Sequence, residues 1–85
     1  MVFVKSDEFQ RAYNHLPERI QKKLKKQLLL FENNPRHPSL HIHRLNDEWE
    51  FYVDVHYRCL FFREKDEIVL LTIGSHRVVD RYKSR

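Results

Sequence analysis

Histidine, arginine and tyrosine, the side chains that suit work on phosphates and protons, crowd at two places in this sequence. One is the stretch GSHRVVDRY, Gly74 to Tyr82, which holds His76, Arg77, Arg81 and Tyr82. The other runs from His41 to Arg58 and includes His43, Arg44, Asp54 and His56. A histidine gains or gives up a proton near neutral pH. An arginine presents a planar fork of donors that fits phosphate oxygens and stays charged. Terminal segments ordinarily fray, yet this one also carries the single glycine of the chain. Gly74 is expected to let the chain turn off the last strand and aim His76 back over the sheet. No metal signature is present: there is no HExxH, cysteine is single, and His-x-His at 41 and 43 is common by chance. Neither a metal nor a cofactor is expected. Cys59, inside the apolar run CLFF, reads as core and not as a nucleophile.

These residues need a frame, and the hydrophobic periodicity supplies one in two halves. Ser6 can cap a helix, with Asp7 and Glu8 where the helix dipole favours negative charge. Phe9, Ala12, Tyr13 and Leu16 follow at i, i+3, i+4, i+7, a single apolar stripe. Pro17 suits the first turn of a second helix. Ile20, Leu24, Leu28 and Phe31 form its buried stripe, with Leu29 and Leu30 widening it. Asn33-Asn34-Pro35 ends it. From Leu40 the period becomes two. Leu40 to Leu45 is expected as a short strand. A second strand has Trp49, Phe51, Val53 and Val55 inward and Glu50, Tyr52, Asp54 and His56 outward. Arg58 to Arg63 and Ile68 to Ile73 follow, joined by a polar turn. The expected fold is α+β: an N-terminal helical hairpin on one face of a four-stranded, mainly antiparallel sheet, with an optional short strand at Val2 to Val4.

With 85 residues the chain is one domain, 1–85, with a modest core. Sixteen Lys and Arg against twelve Asp and Glu give a net charge of +4, which favours polyanions or an acidic partner. No apolar run approaches a membrane span, and the first residues lack a signal peptide's apolar region. A reducing cytoplasm is the expected compartment.

Four motifs now line up: NPRHPSLHIHRL (Asn34 to Leu45), W-x-F-x-V (Trp49 to Val53), Tyr57-Arg58, and LLTIGSH (Leu70 to His76). In this order and spacing they resemble the RelE/ParE superfamily of bacterial toxins, and most of all its RelE/YafQ-like members. The resemblance covers nearly the whole chain. It implies the toxin of a type II toxin–antitoxin pair, neutralised by an acidic antitoxin, that cuts mRNA on the ribosome without a metal. It further implies that Arg58, at the arginine of the YR motif, contacts the phosphate being cleaved. His76 stands where such toxins carry a basic residue two places after the glycine, and Tyr82 stands at their tyrosine eight places after it. His43 and His56 match further histidines of YafQ-like members. Lys22, Lys26, Arg44, Arg77 and Arg81 are the expected RNA-backbone contacts.

One departure stands out. Many relatives read IG.HD..Y, and here Arg77 and Asp80 occupy the aspartate and tyrosine places; either Tyr82 takes over the aromatic role or the site lacks it. Plainer roles exist for two features. Arg58 can pair with Asp54 or Glu50 across a hairpin, and the lysines at 22, 23, 25 and 26 can be a solvated helix face. A gyrase-directed, ParE-like toxin, or a degenerate one that only binds its antitoxin, is the alternative on the same fold.

Overall fold

The computed structural model describes residues 1–83. A short strand, β1 (Val2–Lys5), leads into the helical hairpin α1 (Asp7–Asn14) and α2 (Glu18–Asn33). Ser6 caps α1, its Oγ accepting the Phe9 N–H at 3.0 Å, with Asp7 and Glu8 in the first turn as the dipole favours. Pro17 stands one place earlier than expected, as the cap of α2. Phe9, Ile20, Leu24 and Phe31 are buried. Leu29 is 61% exposed, contrary to expectation. Gln27 is buried instead, and its Nε2 donates to the Tyr52 carbonyl at 2.9 Å, which ties α2 to the sheet.

The sheet has five strands: β1, β2 (His43–Leu45), β3 (Glu48–Tyr52), β4 (Tyr57–Glu64) and β5 (Glu67–Ser75), in the order β1-β5-β4-β3-β2. β2 to β5 form the expected antiparallel meander, while β1 pairs parallel with β5 at the edge. Two strands are shorter than the alternation predicts. Pro38–Leu40 coils into a 3-10 turn and His41 takes a left-handed φ of 46°, so β2 starts only at His43. β3 stops at Tyr52 because the Asp54 carboxylate accepts the N–H groups of His56 and Tyr57 at 2.8 and 3.0 Å, which bends the chain. Val55, expected inward, is 74% exposed in that bend.

Phe9, Phe31, Phe51, Phe61, Cys59 and their aliphatic neighbours fill the layer between hairpin and sheet. Phe31 meets Phe51 and Phe61 edge-on at 5.5 and 5.3 Å, a favoured aromatic arrangement. A register shift in the β4–β5 pair leaves Leu71 as an extra residue, since Leu60 pairs with Thr72 but Phe61 with Leu70. Ser6 serves this bulge as well as the helix: its Oγ donates to the Leu71 carbonyl at 3.1 Å. After the bulge Ile73 faces the core and Gly74 faces the other side.

That other side is covered too. The segment after Gly74, for which no helix was expected, is one: α3 (His76–Lys83), packed against β4 and β5. Ser75 Oγ accepts the Val78 N–H at 3.4 Å at its start, and the His76 N–H donates to the His56 carbonyl at 3.2 Å. Val79 of α3 and Leu60 of β4 are fully buried outside the hairpin core. Gly74 lies within β5 and has no positive φ, so it does not make a turn. What it provides is clearance: a Cβ there would meet Val78 Cγ1 at 2.8 Å. The glycine lets α3 lie close to the sheet.

Candidate functional site

Three of the catalytic candidates meet on the α3 side of the sheet. Arg58, on β4, is 3% exposed and not open on the surface. Its Nη1 donates to the carbonyls of Asp54, Val55 and Tyr57 at 3.0, 3.2 and 3.3 Å, and so holds the β3–β4 bend from inside. Its Nη2 is hydrogen-bonded to His76 Nε2. Its guanidinium carbon lies 3.5 Å from the centre of the Tyr52 ring, a close cation–π contact. Arginine has only donors, so the bond to His76 requires a lone pair on Nε2 and places that ring's proton on Nδ1.

Glu50 links Arg58 to His43. One carboxylate oxygen, Oε1, lies 3.7 Å from Arg58 Nε and 3.3 Å from His43 Nε2. Glu50 was expected on an outward, solvated position, but it is only 5% exposed. The Arg58–Glu50 pairing considered from sequence is therefore present, and it sits within the cluster. Arg58 Nε is buried with no hydrogen-bond partner, because 3.7 Å is beyond hydrogen-bond reach. His43 Nδ1 is 3.0 Å from the His41 carbonyl, an acceptor only. A ring with protons on both nitrogens satisfies the carbonyl on one side and the carboxylate on the other. His41 in turn stacks on Tyr52 with centroids 4.4 Å apart. Glu50 and Tyr52 were not singled out as site residues from sequence; the signal available was their place on β3, in register with His43 and Arg58.

The other candidates lie around this group. His56 is exposed and enters through its backbone, by the carbonyl that receives His76 N–H. Tyr82 is half-buried on α3, one turn past Val78 and off the side of the helix that His76 shares with Asp80. Arg77 and Arg81 are exposed along α3, and Arg44 is exposed on β2 over the Trp49 ring at 5.7 Å. Lys22 pairs with Glu18 at 3.4 Å on the outer face of α2. Lys26 and Lys23 edge a groove of about 610 Å³ that reaches Tyr52 and His41.

Two ionisable groups are set by their surroundings. Burial pulls the Asp54 carboxyl upward, but the His56 N–H, the Arg19 guanidinium and the Tyr57 N–H outweigh it and hold it below 3.8. Burial, with the Glu50 charge beside it, pushes the Cys59 thiol well up, which keeps it inert as read from sequence. Among the described residues no group of three or more His, Cys, Asp or Glu could hold a metal ion, and no helix is long and apolar enough to cross a membrane.

No family model matches the chain, and no curated protein sequence does either. Solved structures do match. YafQ from E. coli strain BL21(DE3) superposes with a TM-score of 0.77 at 16% identity, over 91% of this chain and 94% of that one. The RelB–RelE antitoxin–toxin complex from Methanococcus jannaschii gives 0.75 at 16%, over 93% and 96%. The YoeB/ParE toxin from Agrobacterium tumefaciens gives 0.72 at 12%, over 89% and 99%. Hairpin, five-stranded sheet and terminal helix together are thus the fold of the RelE/YafQ-like toxins.

Proposed function

We propose that this chain is the toxin of a type II toxin–antitoxin pair, acting in the cytoplasm as an endoribonuclease on ribosome-bound mRNA. The observation that carries the reading is the series His43–Glu50–Arg58–His76, in which two histidines flank one arginine on a single sheet face. Cleavage at a 2′-OH needs one group to take the hydroxyl proton, a positive charge on the phosphorane, and one group to protonate the departing 5′-oxygen. His76 Nε2 presents the lone pair for the first step. Arg58 supplies the charge through Nη2 once a phosphate displaces His76 from it. His43, with N–H groups toward Glu50 and His41, suits the last step. The 2′-oxygen forms a bond to phosphorus as the bond to the 5′-oxygen breaks, leaving a 2′,3′-cyclic phosphate and a 5′-hydroxyl. Lys22, Lys26, Arg44, Arg77 and Arg81 would follow the RNA backbone, and the +4 charge suits an acidic antitoxin.

The test is induction in growing cells with pulse labelling, followed by cleavage of mRNA on purified ribosomes with chelator present. Protein synthesis should stop first, and cleaved ends should carry a cyclic phosphate. His76→Gln should fold, bind the antitoxin and cut at least about a hundredfold more slowly, since glutamine cannot move the proton. Arrest of DNA replication before translation would favour the gyrase-directed alternative.

A further inference from the structure

A glutamate and an arginine, each nearly sealed from water, are costly to keep in a domain of this size, and hydrophobic replacements are often as stable. Glu50 and Arg58 are such a pair, with side chains 6% and 4% exposed. Their geometry is poor for a structural ion pair: the contact is 3.7 Å and Arg58 Nε has no hydrogen bond. The same oxygen is closer to His43 Nε2, at 3.3 Å. Arg58 itself is fully oriented without Glu50, by three carbonyls, the Tyr52 ring and His76. The carboxylate is therefore not needed to aim the guanidinium. What it supplies is a negative charge beside it and an anchor for the imidazole.

We propose that Glu50 is a positioning residue with two effects on the site: it holds His43 in place as proton donor, and it acts as an internal counter-anion to Arg58. In the free protein Glu50 stands electrostatically where a phosphate will stand when RNA is bound. The phosphate takes Nη2, on the guanidinium edge that Nε shares, with Glu50 remaining alongside it at Nε. Glu50 thus weakens binding of the resting phosphate and favours reaction, two consequences of opposite sign. This rests on the ribonuclease reading for the rate, but the binding consequence follows from charge alone.

Glu50→Gln separates the two effects. Removing a unit charge this close to the phosphate site should tighten binding of a non-cleavable 2′-O-methyl oligonucleotide about tenfold at low salt. Single-turnover cleavage by the same variant should slow at least about tenfold, because His43 loses its anchor. A purely structural role would weaken both or change neither. Glu50→Asp, which keeps the charge but shortens the reach, should bind the oligonucleotide as the wild type does and still cut slowly; this variant carries the test if Glu50→Gln does not fold. Equal or weaker binding by folded Glu50→Gln, or wild-type cleavage by Glu50→Asp, overturns the proposal. Absence of cleavage by the wild type overturns the ribonuclease reading instead and leaves the binding comparison to decide the counter-anion role.

Discussion

Gly74→Ala should destabilise the fold even though its backbone conformation suits alanine. The position pairs with Arg58 across β4–β5 and faces α3. An added Cβ would lie 2.8 Å from Val78 Cγ1 and 3.0 Å from Val78 Cβ. Ordinary carbon contacts are about 3.5–4.0 Å, so both are compressed. Rotating Val78 about χ1 moves Cγ1 but not Cβ, and valine has little rotamer freedom in a helix. α3 must therefore move. Overpacking of this kind costs about 1–3 kcal/mol. Against it, alanine restricts the unfolded chain and returns about 0.4–1 kcal/mol. The net loss is about 1–2 kcal/mol, a fall in Tm of roughly 4–15 °C for a domain of this size. Val78 is 45% exposed, so Val78→Ala should be mild by itself and should remove the tighter contact. In that background only the 3.0 Å Cβ contact persists, so Gly74→Ala should cost less, with a coupling of about 1 kcal/mol in the double-mutant cycle. Urea unfolding of the four proteins measures this. The same cost in both backgrounds, or no cost in either, would refute the clearance argument.

Two more expectations concern the bend between β3 and β4. Arg58→Lys keeps the charge but not the fork, and should cost about 2–4 kcal/mol through the lost carbonyl bonds; calorimetry showing wild-type stability would mean the bend does not depend on Arg58. Asp54 has a folded pKa below its unfolded value, so its contribution is complete above the unfolded value near 3.8 and is lost as pH falls through the lower folded one. Asp54→Asn should therefore be less stable than the wild type at pH 7, with the gap closing below about pH 4, and a gap that persists at low pH would argue against the carboxylate as the cause.

Local signals were readable where a residue's neighbours in sequence decide its role. Ser6 with Asp7 and Glu8 marks the start of α1, and the stripe from Ile20 to Phe31 marks the inner face of α2. Harder to read were positions decided by a distant element. Glu50 alternates as an outward residue, yet it lies on the side of the sheet where α3, arriving from the far end of the chain, packs against β4 and β5. α3 itself left faint marks: Ser75 at a cap position, then Val78, Val79 and Tyr82 at helical spacing. They were obscured by the four charged residues Arg77, Asp80, Arg81 and Lys83. The bend after Tyr52 was signalled by Asp54, an Asx-turn former, but the apolar alternation through Val53 and Val55 masked it. His43, Arg58 and His76 stood out by residue type and by the motif resemblance, but the contacts that join them, through Glu50 and across to α3, could only come from the tertiary arrangement.

The parallel pairing of β1 with β5 has a kinetic meaning. The contact between Ser6 and Leu71 spans 65 positions, whereas every pairing within the meander is between strands adjacent in sequence. Closing the longer loop costs entropy that only completed partners repay, so local pairings form ahead of it. During synthesis at about 5–20 residues per second, β1 waits several seconds for the strand it joins. In that interval the cap of α1 can form, since Ser6 and Phe9 are neighbours, but the bulge carbonyl that Ser6 also serves does not yet exist. The hairpin is thus built early and fastened late, and the edge strand is the slow step of assembly.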